Sequence, residues 1–567
     1  EPRGPGGARG PGPMSRLDAV DLGIMWDRLV AITDEILLSI VRTSFSVGVR
    51  EAWDLACVIF DAEGRSLAQA TLSMPAFIGT APLTMRHMLA RFPAGTWRPG
   101  DVVVTNDPWL GTGHTPDICV ARPVFTGGRL AAFVMTISHL PDIGGAGLSV
   151  TNREVYEEGL ILPICKLYSG GEPDQDLHRL ILANVRVPEL VSGDLLANVS
   201  GCTVGERLIA EFMAEYGLAD LVEVSAGIIG QSEAAIRRRI RDIPDGTYGN
   251  RIEVEAVDEP VTLACAVTVR DDRIHVDLDG TGAAVPQAIN VPLCYTRAFV
   301  TYTVKCLTTP TIPNNQGALT PIELAAPPGC ILNAQRPSPT GGRHSVGWFI
   351  VPLLMGALAD AVPDRVQADS GMASLFIVHA TAPDGRMNAV QYFLAGGLGA
   401  MAGLDGHHTT PSPTNNAVVA SEVWENETGA TVVRRSLLPD SGGPGEFRGG
   451  VGQLAEIANT SGRPITVFMF GMRTEFPARG HRGGKPGARR SFILNGEEIG
   501  GKGRLVLEPG DTLVVREAGG GGYGDPMKRD PMRVLDDVES GFVTVEGARR
   551  DYGVEVDRTA GTAARPG

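Results

Sequence analysis

No two cysteines of this 567-residue chain stand in a CxxC pair, and the eight present are scattered from Cys57 to Cys330. Small secreted domains stapled by disulfides are denser in cysteine. Several thiols instead sit inside apolar runs ("LACVIF", "DICVA", "TLACAV"), so reduced, mostly buried cysteines in a cytoplasmic protein are expected. No apolar run reaches the roughly eighteen residues that a membrane span requires. Charge of positive sign is also short: 50 Lys and Arg against 65 Asp and Glu give a net −15. With no basic patch, neither nucleic acid nor an anionic membrane is an expected partner. Nucleotide signatures are missing too. "RGHRGGKPG" has Pro486 after Lys485, where a phosphate loop needs Ser or Thr. "GGGGYGD" precedes no helical pattern that could cradle a phosphate. No G-x-S-x-G nucleophile elbow occurs.

What the chain does have is an ordinary globular composition, 43% hydrophobic and 20% charged. Its ends read as disordered: the Gly/Pro/Arg-rich residues 1–13, upstream of a start at Met14 and unlike a signal peptide, and the tail 557–567. Between them the pattern predicts an α+β, multidomain fold. Residues 14–245 form a helix-containing N-terminal region. Apolar positions Ile24, Leu29, Ile32, Ile36, Ile40 and Val41 mark an amphipathic helix within 17–43. "LACVIFDAEGRSLAQA" reads as strand, turn, strand, and 195–240 as helix ended by Pro244 and Gly246. Alternation in "NRIEVEAVD", "VTLACAVTV" and "RIHVDLDG" opens a mixed β/α region over 246–365, with a helix at Val346–Ala361. From 366 to 556, glycine-rich stretches suggest short strands joined by many tight turns, with a last helix at Glu546–Asp551.

One tetrapeptide is written twice: "HTPD" at 114–117 and "HLPD" at 139–142. The stretch between reads as strand 118–125, turn 126–129 and strand 130–138. A hairpin folding about Gly127–Gly128 would set position n opposite 255 − n, so 139 mirrors 116. His114, Asp117 and His139 then meet at the open end of one hairpin. Two imidazoles and a carboxylate form a half-site for zinc, iron or manganese. The competing reading is turn formation alone, since Asp and Pro punctuate loops. Asp107 and Asp142 flank the cluster as carboxylates able to orient a ligating imidazole, and Asp142 repeats the setting of Asp117. Glu157 and Glu158 offer a general base or a solvated helix start. His407 and His408 read as loop residues. His87, His178, His275, His344, His379 and His481 read as isolated structural histidines.

At these residues the chain resembles the hydantoinase B / 5-oxoprolinase family. "NDPWLGTGHTPDICVARPVF" and "SHLPDIGG" carry the likeness. "RTSFSVGVREAWDLACVIFDAEGRSLAQA", "EVYEEGLILPICKLY", "DLDGTGAAVPQAINVP", "IPNNQGALTPIELAAPPGCILNAQRP", "LPDSGGPGEFRGGVGQ" and "GGGGYGDPMKRDPMRVLDDV" extend it in order over roughly 17–554. The resemblance, which extends to acetone carboxylase and caprolactamase subunits, implies four ligands to one divalent metal (Zn, Mn or Fe): Asp54, His114, Asp117 and His139. It implies a metal-bearing subunit that opens an ATP-activated lactam or hydantoin with metal-bound water. Asp142, from its place in the second His-x-Pro-Asp, is expected to orient a ligand or receive a proton. ATP would belong to a separate hydantoinase A-like subunit, in a hetero-oligomer with two copies of each chain. A ketone carboxylase subunit and a non-catalytic scaffold are the alternatives. The sequence departs from the family at Phe77, where histidine is usual, at "GTGH" for GGTH, and at Cys165 for valine. The Phe77 change bears on the substrate.

Overall fold

The computed structural model describes residues 18–566, so the expected extension at 1–13 lies outside it. Seven strands form the first sheet: β1 (Leu55–Asp61), β2 (Ser66–Gln69), β3 (Val102–Thr105), β4 (Asp117–Thr126), β5 (Arg129–His139), β6 (Cys165–Ser169) and β7 (Glu172–Pro173). Their order is β2-β1-β5-β4-β3-β6-β7. Every residue of β1 is buried, which accounts for its unbroken apolar run. Leu55, Cys57 and Ile59 face one core, while Ala56, Val58 and Phe60 face another. The sheet is sandwiched, so alternation vanishes.

Helices α1 (Ala19–Thr43), α2 (Val47–Arg50), α3 (Phe77–Arg91), α4 (Gln175–Ala183), α5 (Pro188–Tyr216) and α6 (Val222–Ile240) accompany this sheet. Asp18 caps α1 by accepting from the Val20 and Asp21 N–H groups, both at 2.8 Å. Leu29, Ile32, Ile36 and Ile40 are buried as the pattern predicts. Ile24 is not: it is 55% exposed, and Leu22 and Met25 start the buried stripe instead. The helix expected over 195–240 is two helices, because Gly217 adopts a left-handed φ of 65° and ends α5.

Strands β8 (Gly246–Val254), β9 (Val261–Arg270), β10 (Arg273–Asp277) and β11 (Ile322–Ala325) form a second sheet, with β11 parallel to β10. Helix α7 (Leu293–Thr308) packs against α3. The helix expected at 346–361 is broken into α8 (His344–Gly347) and α9 (Ile350–Ala357). One contiguous apolar cluster joins side chains from all three expected regions.

Further on, β12 (Ala373–Thr381) and β13 (Met387–Ala395) begin a third sheet; α10 (Ser421–Thr428), β14 (Thr431–Leu437) and β15 (Gln453–Ala458) follow. The glycine-rich stretches here differ from the expected tight turns. Gly397, Gly443, Gly449, Gly450 and Gly519–Gly522 are buried and hydrogen-bonded between segments, as in Gly443 N–H to Gly520 O (2.7 Å) and Gly520 N–H to Gly450 O (2.9 Å). A Cβ at Gly450 or Gly520 would fall 1.9 or 2.1 Å from a neighbouring carbonyl oxygen. These glycines permit backbone-on-backbone packing and are core. The C-terminal tail also departs from expectation. Helices α11 (Pro531–Glu539) and α12 (Val545–Tyr552) precede a two-stranded sheet of 555–557 with 562–564. Arg565 fastens it by donating to the carbonyls of Arg529 (2.6 Å) and Tyr552 (3.1 Å). Among the described residues no helix is long and apolar enough to cross a membrane.

Candidate metal centre

Three adjacent strands of the first sheet deliver the cluster. Asp54 immediately precedes β1, His139 ends β5, and Asp117 begins β4. At its turn the hairpin has the expected register, Phe125 opposite Leu130 and Thr126 opposite Arg129. A bulge at Val124/Phe125 then shifts the register by one, so His139 faces Asp117 and not Pro116. Asp54 arrives beside them because His139 N–H donates to Asp54 O at 3.1 Å. Trp53, just before it, has φ 58°, a left-handed conformation that is rare for a bulky residue.

The imidazoles are oriented by backbone carbonyls. His114 Nδ1 lies 3.0 Å from Gly341 O, and His139 Nδ1 lies 2.9 Å from Leu140 O. A carbonyl only accepts, so each Nδ1 carries the proton and each Nε2 keeps its lone pair. Both Nε2 atoms are buried without a hydrogen-bond partner. His114 Nε2 stands 2.8 Å from Asp117 Oδ1, a close approach that is not aligned as a hydrogen bond. The other oxygen, Oδ2, accepts from Thr112 Oγ1 (2.6 Å) and Arg343 Nη2 (2.8 Å). His114, Asp117 and His139 thus offer two nitrogens and one oxygen within 4.8 Å of one another. Asp54 joins them in the lining of the same pocket, where Gln391 donates to its Oδ2 at 3.2 Å.

Charge states favour a cation here. Burial, reinforced by the Arg343 charge, lowers the pKa of His114. Burial lowers that of His139 as well, so both are neutral at pH 7. Burial pushes Asp117 upward, but His114 and Arg343 together hold it well below the ordinary carboxylate range. Burial raises Asp54 to about 6. Two neutral imidazole lone pairs and an ionised carboxylate oxygen, buried and converging, fit a divalent transition metal.

The flanking carboxylates have partners outside the cluster. Asp142 is buried, but its carboxylate is engaged by Arg186, through Nη1 at 2.8 Å and the backbone N–H, and by Gly144 N–H at 3.2 Å. It does not line the pocket and shares no hydrogen bond with either imidazole. Asp107 pairs with Arg336 and accepts from Trp109 N–H. Glu157 is exposed and accepts from Arg153 N–H. Glu158 is buried, neither solvated nor in the pocket, and clamps the Thr340 and Gly341 N–H groups at 2.7 and 2.6 Å. Its target, Gly341, is the residue whose carbonyl orients His114. Phe77 does line the pocket. His407 is exposed, and His408 is half-buried against Phe542.

Of the polar lining residues, sequence reasoning missed Tyr295, Arg343 and Asn416, and it read His344 as an isolated structural histidine where the fold brings it to the pocket. Arg343 bonds Asp117 and Thr112 O and stacks 4.1 Å over the Tyr295 ring. Gly113, at φ 101°, makes room for it; a Cβ there would meet Arg343 Cδ at 2.8 Å. His344 Nε2 is buried and unpartnered beside the Trp348 and Phe470 rings. No local spacing announces these residues. They come from segments some 180 to 300 positions downstream of His114 in the chain and join it only through tertiary packing.

A sequence profile described as hydantoinase B/oxoprolinase matches residues 18–526. The chain belongs to this family. It is 30% identical to the caprolactamase subunit beta of Pseudomonas jessenii over 577 aligned positions, covering 96% of this chain and 97% of that one. A crystal structure of ATP-dependent caprolactamase from Pseudomonas jessenii superimposes with TM-score 0.87 at 27% identity, covering 96% of this chain and 98% of that one. The 5-oxoprolinase 1 of Arabidopsis thaliana is 27% identical, over 89% of this chain but only 42% of its own length. This chain aligns with nearly the whole of the caprolactamase beta chain and with less than half of the Arabidopsis protein.

Proposed function

We propose that this chain is the metal-bearing subunit of an ATP-dependent cyclic amide hydrolase. The observation that carries the reading is the pair of buried, unpartnered His114 and His139 Nε2 atoms converging with Asp117 Oδ1. Asp54, His114, Asp117 and His139 would hold one divalent ion of the zinc, manganese or iron type. Such an ion supplies a nucleophile at neutral pH by bringing the pKa of a water down toward about 7 in favourable sites.

The chain's own residues do the rest. Thr112 and Arg343 fix the Asp117 carboxylate by one oxygen and leave the other turned to the centre. Gly341 O and Leu140 O hold the two imidazoles in the tautomer that presents Nε2. His344 Nε2 and Asn416 Oδ1, both without partners, are available to the amide of a bound ring. Asp142 braces the loop after His139 through Arg186, a positioning role in place of proton transfer.

Carbonyl activation by ATP is assigned to a hydantoinase A-like partner. Support comes from the relatives: the caprolactamase chain is named a subunit, and the Arabidopsis 5-oxoprolinase is more than twice as long as the stretch it shares. Metal analysis of the purified chain against His114→Ala/His139→Ala tests the centre; equal metal content would sink the ligand assignment. Incubating the reconstituted pair with ATP and hydantoin, 5-oxoproline, 2-pyrrolidinone or a ketone with bicarbonate tests the reaction. Ring opening supports the hydrolase. Carboxylation of the ketone alone would move the chain to the carboxylase branch, and no turnover at all would leave a scaffold.

A further inference from the structure

We infer that the pocket over this cluster takes an uncharged ring and rejects one bearing a carboxylate, so that the substrate class is a neutral lactam. The inference rests on the cyclic amide hydrolase reading above, and it concerns the ring atoms away from the reacting carbonyl.

The walls are hydrocarbon. Met74, Phe77, Trp348, Leu375 and Phe393 line the pocket beside the cluster. A carboxylate moved from water against such walls is costly unless a cation meets it. Among the described residues the lining contains one arginine or lysine, Arg343, and that guanidinium is already committed. Its Nη2 holds Asp117 at 2.8 Å, its Nε holds Thr112 O at 3.0 Å, and its face lies on Tyr295. Turning it toward a substrate would strip Asp117 of its buried counter-charge.

What the pocket does leave free suits a neutral amide. Asn416 Nδ2 donates to Ala52 O at 3.3 Å, which fixes the side-chain amide so that its unpartnered Oδ1 is an acceptor. His344 contributes a buried, unpartnered ring nitrogen. An acceptor for N–H and an imidazole for C=O match a lactam, while the aromatic walls match its methylenes.

The test is binding to the full-length chain loaded with Mn²⁺, read by tryptophan fluorescence, with Trp348→Phe identifying the local signal. Three probes separate charge from size: 2-pyrrolidinone, 5-oxoproline, and 5-oxoprolinamide, which matches 5-oxoproline in bulk but is neutral. Both neutral rings are expected to bind, with 5-oxoproline at least tenfold weaker. Phe77→Arg is expected to tighten 5-oxoproline at least tenfold. The inference is overturned by 5-oxoproline binding as tightly as 2-pyrrolidinone, by the amide being rejected as strongly as the acid, or by no probe binding. Ring opening by the ATP-supplied pair separates this from the broader reading. Opening 5-oxoproline as efficiently as 2-pyrrolidinone would overturn the neutral-ring inference and uphold the hydrolase. Binding of neutral rings with no ring ever opened would uphold the pocket preference and overturn the hydrolase.

Discussion

Asp117 and His139 face one another across the β4–β5 ladder because one bulge, at Val124/Phe125, shifts the hairpin by a single residue. Without it Pro116 would stand opposite His139. Register in a sheet is quantised, and a one-residue slip redirects every side chain on the strand. The bulge therefore decides that a carboxylate, not a proline ring, shares the edge with the imidazole.

Those donors should bind metal and gain stability from it. Adding Mn²⁺ or Zn²⁺ to chelator-treated protein is expected to raise Tm, by about 2.7 kcal/mol of stabilisation at a hundredfold excess over Kd. His114→Ala/His139→Ala should show almost none of the rise. A thermal scan of the two proteins with and without ion decides it; equal shifts would place the ion elsewhere.

Arg343 is the buried counter-charge of Asp117. Arg343→Met leaves that carboxylate unpaired, and breaking a buried pair from one side costs about 3–5 kcal/mol. An ion in the cluster would take over part of the neutralisation, so the loss should shrink when Mn²⁺ is present. Urea unfolding with and without the ion measures both. An unchanged midpoint in metal-free protein would show that Asp117 does not depend on Arg343.

Local patterning made much of this legible. The Gly127–Gly128 turn and its flanking apolar runs were enough to bring His114, Asp117 and His139 together, because a hairpin is a short-range structure. Family likeness, not spacing, supplied Asp54, which reaches the site through pairing of β1 with β5 some eighty positions away. Arg343 and Asn416 were invisible, and His344 read as merely structural, for the same reason in stronger form: only the packed fold brings them near. Asp142 repeats the His-x-Pro-Asp setting of Asp117, yet its carboxylate bonds Arg186, a partner that local spacing does not announce. The glycine-rich segments misled. Glycine marks turns, but it also marks places where two backbones touch, and sequence alone does not separate these uses.

Glu158 links stability to pH. Burial pushes its pKa up to about 8 from an ordinary 4.5, against the opposing bonds from Gly341 and Thr340. The folded chain then keeps this proton across pH 4.5 to 8 while the unfolded chain has released it. Stability from this group is greatest at the acid end and declines as pH rises through the window. Glu158→Gln cannot titrate, so its stability relative to wild type should climb from pH 5 to pH 8, by on the order of a few kcal/mol. Urea midpoints for both proteins at four pH values test the sign; parallel profiles would refute it.

Gly450 and Gly520 should tolerate no side chain. A Cβ at either overlaps a carbonyl oxygen of another segment, and backbone cannot step aside as a flexible side chain can. Gly450→Ala or Gly520→Ala is expected to cost about 3 kcal/mol or more. Gly500→Ala, with nothing within 4 Å of the added atom, should be nearly neutral. Thermal denaturation of the three variants makes the comparison, and equal losses would mean the glycine segments are not close-packed as described.

The division of labour with a partner gives the last test. Opening a lactam under physiological conditions is assigned here to an activated carbonyl, and activation needs a phosphoryl donor held in place. "RGHRGGKPG" lacks the Ser or Thr of a phosphate loop, and "GGGGYGD" is spent on backbone packing, with Gly519–Gly522 buried against neighbouring segments. The isolated chain, even metal-loaded, is therefore expected to turn over no ATP in the presence of 2-pyrrolidinone. Adding a hydantoinase A-type subunit should produce lactam-stimulated ATP hydrolysis and a larger sedimenting species containing both chains, two copies of each. Lactam-stimulated ATP hydrolysis by this chain alone would refute the assignment, because a nucleotide site would then have to lie within these residues.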